Sequence, residues 1–120
     1  MRRLLIAALL CLPAGAALAG EADVVDARAE RAANGTWRFS VTVRHADEGW
    51  DHYADAWEVL APDGTVLATR TLLHPHETEQ PFTRALSGVR IPDGVTEVRI
   101  RARDSVHAYG GKELVVTLPR

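Results

Sequence analysis

The chain has one cysteine, Cys11, and its position takes it out of the argument. Arg2 and Arg3 form a positive start, Leu4 to Leu12 an apolar run, and Ala17-Leu18-Ala19 a small-x-small cleavage site. Together these predict a secretory leader over residues 1–19, with the cut after Ala19. A lipid-modified cysteine needs a small residue before it. Leu10 stands there instead, and Cys11 lies inside the apolar run, so it is expected to leave with the leader. No cysteine follows it, which excludes a disulfide and leaves no thiolate to act as nucleophile or metal ligand.

Other absences narrow the reading further. The leader's apolar run is too short to span a bilayer, and no later segment is apolar enough, so no integral membrane segment is expected after cleavage. Positive charge is not in excess. The chain holds 14 basic and 16 acidic residues, and the leader removes two of the basic ones, leaving twelve against sixteen and a formal charge of −4. That balance argues against nucleic acid and against anionic lipid as partners. There is no low-complexity stretch, linker or internal repeat. Ser87 and Ser105 have no nucleophile context, so a non-catalytic protein is expected. About 100 residues remain, enough for one core, and residues 20–120 are read as a single domain.

What is present is alternation. Trp37, Phe39, Val41 and Val43 alternate with Arg38, Ser40, Thr42 and Arg44, the pattern of a strand with one buried face. Val98, Ile100 and Ala102 alternate with Arg99, Arg101 and Arg103, and Leu114, Val116 and Leu118 form another set. Tyr53, Trp57, Val59 and Ala61 share one parity, and weaker runs cover Val24 to Arg31, Thr65 to Leu73 and Phe82 to Ile91. The segment Ala27 to Ala33 also suits a short helix; the strand is preferred. Seven strands with a core-facing Trp on the third predict an all-β, immunoglobulin-like antiparallel sandwich. The tight turn between the third and fourth strands favours the fibronectin type III-like arrangement.

The connections give this sandwich a polarity. Asn34-Gly35, Pro62-Asp63-Gly64 and Pro92-Asp93-Gly94 mark tight turns after the first, third and fifth strands. The other three connections, Ala46 to His52, His74 to Gln80 and Asp104 to Gly111, are longer. If strands alternate in direction, the long loops share one pole, where a rigid scaffold usually displays function.

All five histidines, His45, His52, His74, His76 and His107, fall on or beside those long loops. Neutral imidazole suits copper or zinc. In extended chain His74 and His76 point the same way, and Pro75 stiffens the spacing. The expected ligand set is His52, His74, His76 and His107. His45 continues the inward parity of Trp37 to Val43 and is expected to close the core. His45, Asp51, Glu77 and Asp104 are candidate supports for the ligands, and Trp50 and Tyr109 candidate contributors to a binding surface that a protein partner could use. The alternative is a structural or protein-interaction sandwich whose histidines only pin the loops together. Trp50 and Tyr53 are equally suited to covering the open end of the core. The stripe of Arg99, Arg101 and Arg103 is expected to be a solvated face paired with acids such as Glu58.

The stretches Gly49-Trp50-Asp51-His52-Tyr53-Ala54-Asp55-Ala56-Trp57, His74-Pro75-His76 with Glu79 to Arg84, and Asp104-Ser105-Val106-His107 with Gly110-Gly111-Lys112 resemble those of an uncharacterised family of small exported bacterial proteins with an immunoglobulin/fibronectin type III-like domain. The resemblance covers most of the mature chain. It implies a periplasmic or secreted location and no assigned activity, cofactor or functional residue. The resulting expectation is a non-catalytic exported binding module that uses its long-loop pole and holds copper or zinc there.

Overall fold

The computed structural model describes residues 20–119, and each alternating run within them is a strand; the expected leader lies outside the described residues. The strands are β1 (Asp23–Arg31), β2 (Trp37–Arg44), β3 (Ala54–Leu60), β4 (Val66–Thr71), β5 (Phe82–Val89), β6 (Glu97–Asp104) and β7 (Leu114–Thr117), with no helix among the described residues. They form two antiparallel sheets, β1-β2-β5 and β4-β3-β6-β7. The fourth strand pairs with the third rather than joining the β1 sheet. This makes an immunoglobulin-like sandwich in the fibronectin type III manner. The ambiguous Ala27–Arg31 segment is strand because it pairs residue for residue with β2, from Ala27↔Val41 to Arg31↔Trp37. Those ladder bonds outweigh the weak helical preference of Ala, Glu and Arg.

The inward residues of the two sheets meet in one core. Trp37, Phe39, Val41 and Val43 of β2 face Trp57 and Val59 of β3 and Val98 and Ile100 of β6, all essentially inaccessible to water. Burying each such side chain contributes about 1.5–3 kcal/mol. The arginine stripe of β6 lies on the outer face and is paired: Arg99 with Glu113 at 3.0 Å, Arg101 with Glu58 at 2.7 Å and Arg103 with Asp55 at 2.5 Å.

Two of the tight turns share one construction. The Gly35 amide donates to the Ala32 carbonyl and the Ala32 amide to Thr36; the Gly64 amide donates to Ala61 and the Ala61 amide to Thr65. The glycine takes φ 88° in one turn and 93° in the other. This is the three-residue hairpin in which a type I turn ends on a left-handed residue. It uses one positive φ, and that falls on glycine at no steric cost.

With the short turns at one end, the ends of β2 and β6 and the starts of β3 and β5 gather at the other. Ala54, the first residue of β3, pairs with Asp104, the last of β6. Val43 pairs with Phe82 across β2 and β5. The three long loops therefore converge on one pole, as their turn chemistry predicts.

Candidate metal centre

Two inward parities run out at this pole onto polar residues. His45 follows Val43 on the buried side of β2, and Asp104 follows Ala102 on the buried side of β6; they are 4% and 0% exposed. Their neighbour His52 is 7% exposed and sits in the β2–β3 loop. Hydrogen bonds from Glu48 N to His52 O and from His52 N to Gly49 O fold that loop back on itself.

Each imidazole is held by a carboxylate through Nδ1. His45 Nδ1 lies 2.6 Å from Asp47 Oδ1 and His52 Nδ1 lies 3.0 Å from Glu48 Oε1. An ionised carboxylate only accepts hydrogen bonds, so the facing ring nitrogens carry the hydrogens. The Nε2 lone pairs are then directed away from those carboxylates, and the two Nε2 atoms are 3.2 Å apart. Asp104 joins them, with Oδ2 3.5 Å from His45 Nε2 and Oδ1 3.4 Å from His52 Nε2.

Two ring nitrogens and a carboxylate facing one buried point call for something positive between them, either a proton shared by the rings or a bound cation in its place. A tetrahedral metal with bonds of roughly 2.0–2.1 Å places its ligand atoms about 3.3–3.4 Å apart. The two Nε2 atoms, 3.2 Å apart, are close to that spacing, and Asp104 faces them with a different oxygen on each ring, Oδ1 at 3.4 Å and Oδ2 at 3.5 Å, so a small turn of its carboxylate would give both rings one shared oxygen. His45, His52 and Asp104 form the group of donors able to hold an ion among the described residues. Carboxylates behind both rings fix tautomer and orientation, the usual support of metal-binding histidine.

Asp104 is built to stay ionised there. Burial opposes its charge most strongly, yet its pKa lies below the ordinary carboxylate value. The opposing contributions are the His107 amide on Oδ1 at 2.5 Å, the Val106 amide on Oδ1 at 2.8 Å, the His107 ring near Oδ2 at 3.2 Å, and the nearby His45.

Of the expected ligands, His52 lies in this group. His107 borders it, with its ring centroid 4.9 Å from that of His52. His74 and His76 lie to one side, joined to the centre only through the loop network. Asp47 is the hub of that network: Oδ1 also accepts the Ala54 amide and Oδ2 accepts the His76 amide at 2.7 Å. Gln80 bridges the same loops, accepting from the His45 amide and donating to the His76 carbonyl. As its spacing predicts, the His74 ring stands 4.6 Å from that of His76, but His76 is engaged by its other neighbours. His76 stacks on Phe82 at 3.9 Å, its Nε2 accepts from Arg84 Nη2 at 2.9 Å, and its Nδ1 is buried without a hydrogen-bond partner. A guanidinium against Nε2 repels a metal cation there.

That environment holds the His76 pKa below the ordinary value of 6.5, through burial first, then Arg84 and His74, against the weaker pull of Glu79 and Asp47. The neutral ring therefore stabilises the fold above the ordinary histidine range, and this contribution is lost as pH falls through 6.5 toward the depressed value. In thermal denaturation, the melting-temperature advantage of the wild type over His76→Gln should narrow between about pH 7.5 and about pH 5.5. A constant difference across that interval would count against the assignment.

The supporting residues divide. Asp104 is in the group, and His45, buried at the end of the core as its parity predicts, is in it too. Asp51 and Glu77 are exposed, and the carboxylate on His52 is Glu48. Trp50 is 67% exposed and meets Tyr53 edge-on at 5.6 Å. Tyr109 lies on the outer sheet face, donating to Glu58 beneath the Arg101 guanidinium. Sequence reasoning passed over Asp47 and Glu48, whose spacings to His45 and His52 are ordinary for loop residues. It also left unused the parity of Asp104, the next inward position after Ala102.

No protein-family model matches the chain. No solved structure matches it. The chain is similar to a protein of Halomicrobium mukohataei named "Putative lipoprotein", with 45% identity over 96 residues, covering 80% of this chain and 47% of that protein. The chain thus spans about half the length of the curated relative it matches.

Proposed function

We propose that this protein is an exported, non-catalytic metal-binding module that takes a divalent cation, zinc or Cu(II), at its long-loop pole. The observation that carries the reading is the pair of Nε2 atoms 3.2 Å apart beside a buried carboxylate, each ring fixed from behind by another carboxylate. Nitrogen and oxygen donors suit these ions, whereas Cu(I) favours thiolate and thioether. Residues 20–120 contain neither Cys nor Met. The leader expected at residues 1–19 and the name of the Halomicrobium relative support export to the periplasm or beyond. No helix among the described residues is long and apolar enough to cross a membrane.

A second reading, an interaction sandwich whose histidines only pin loops, has support at His74 and His76, where the rings are engaged by Phe82 and Arg84. One experiment separates the two. Tag-free protein, stripped with chelator, is titrated with zinc and with Cu(II) by calorimetry. Binding at roughly micromolar or tighter is expected for a dedicated site. His45→Ala should weaken it by about 100-fold or more, equivalent to about 2.7 kcal/mol, while His74→Ala should leave it unchanged within about twofold. Absence of binding to the wild type, or equal loss in both variants, would overturn the assignment.

A further inference from the structure

Three donors leave a tetrahedral ion one ligand short, and the structure differs sharply in what it offers on each side. The side chains of His45, His52 and Asp104 are 1%, 9% and 0% exposed. A cavity of about 290 Å³ lined by Glu21, Asp23, Arg44 and Gln80 borders His45, but a ring so enclosed does not open onto it. His107, by contrast, has 35% of its side chain exposed. Its Nδ1 donates to Asp104 Oδ2 at 3.2 Å, and its ring lies 4.9 Å from that of His52, so it stands beside the three donors rather than among them and reaches an ion only by turning.

We infer that His107 is the exchangeable fourth ligand of the centre, closing on a zinc or Cu(II) ion when it loads and giving way to an incoming donor when it leaves. This rests on the reading of His45, His52 and Asp104 as the fixed donors. The turn carrying His107 has a pinned backbone. Asp104 and Ala108 exchange backbone hydrogen bonds at 2.9 and 3.0 Å, and Asp104 Oδ1 accepts the amides of Val106 and His107. Ala108 sits at φ 63°, the one positive φ outside glycine among the described residues. The ring therefore moves by its own torsions, without unfolding the turn. Exchange changes no oxidation state: on loading, Nδ1 would release its hydrogen to solvent as the nitrogen–metal bond forms, and on exchange that bond would break as the bond to the incoming donor forms, the nitrogen taking a proton from water before it returns to Asp104 Oδ2. A centre with three enclosed donors and one hinged, solvent-facing donor is suited to handing its ion on, where a structural staple would enclose all four.

The test uses zinc alone with a coloured chelator as acceptor, and cobalt(II) absorption as the readout of coordination. Wild type, His107→Ala and His107→Gln are compared, with circular dichroism as the check on folding. Both variants should still bind zinc, about 10- to 100-fold more weakly, and transfer it to the chelator faster by a similar factor. Their cobalt spectra should match each other and differ from wild type. Glutamine can keep a hydrogen bond to Asp104 without supplying a ring nitrogen. Restoration of affinity by glutamine would mean that His107 only positions Asp104, and would overturn the inference. So would affinities, rates and spectra within about twofold of wild type, or a loss of affinity greater than that of His45→Ala. If the wild type binds no zinc or copper, the proposed function falls and the inference with it.

Discussion

Asp104→Ala should be among the most damaging single changes in the protein, costing about 3–5 kcal/mol, as removal of one member of a buried charged network does. The carboxylate is fully buried, and alanine would leave the Val106 and His107 amides without their acceptor and two imidazoles facing an empty space. For a domain of this size each kcal/mol moves the melting temperature by about 4–8 °C, so a fall of about 12 °C or more is expected. Asp104→Asn separates the two tasks of the side chain. Its amide oxygen can still accept the Val106 and His107 amides, so most of the turn should survive at a cost of about 1–2 kcal/mol. The anionic donor is gone, and zinc affinity should fall nearly as far as in the alanine variant. Thermal melts and zinc competition on both variants check this. Wild-type affinity in the asparagine variant would show that the charge is not needed for binding.

Gly111→Ala should come close in severity for an unrelated reason. A Cβ built there would lie 1.9 Å from the Ala22 carbonyl oxygen and 2.8 Å from Asp23 Oδ1. Backbone cannot rotate away as a side chain can. The collision also falls where the two sheets are tied: Val24 donates to the Lys112 carbonyl, and the Lys112 amide donates to Asp23 Oδ1 at 2.7 Å. Overpacking of this kind costs about 1–3 kcal/mol and sometimes more; about 3 kcal/mol is expected, because β1 must shift away from the β6–β7 loop. Gly64→Ala is the control. It has positive φ but open space around it, so it should cost only the strain of a left-handed alanine, about 1–2 kcal/mol. Equal melting temperatures for the two variants would show that the loop yields rather than the strand.

Much of this architecture is legible in the chain itself, because the rules that produce it are local. Trp37 to Val43 alternate with period two, and a strand carries that period to one face. Gly35 and Gly64 close hairpins because they alone take positive φ freely. With a third tight turn at Gly94, which crosses between the sheets, they fix the opposite pole as the place where long loops gather, and with them every histidine. The inward parity that points His45 into the core points Asp104 there too.

Which of these residues share a point is not local. His74 and His76 have a chelating spacing, yet the turn into β5 brings Arg84, eight residues on, back onto the His76 Nε2. His45 looks like only a plug for the core until β6 brings Asp104 to within 3.5 Å of it and the β2–β3 loop folds His52 back to 3.2 Å. Strand parity, turn positions and the polarity of the sandwich can be read along the chain, since each depends on residues a few positions apart. That His45, His52 and Asp104 form a close donor group, and that the H-x-H pair does not, appears only in the packed fold. That grouping depends on how two sheets are paired in register and stacked, which is summed over contacts between residues far apart in the chain.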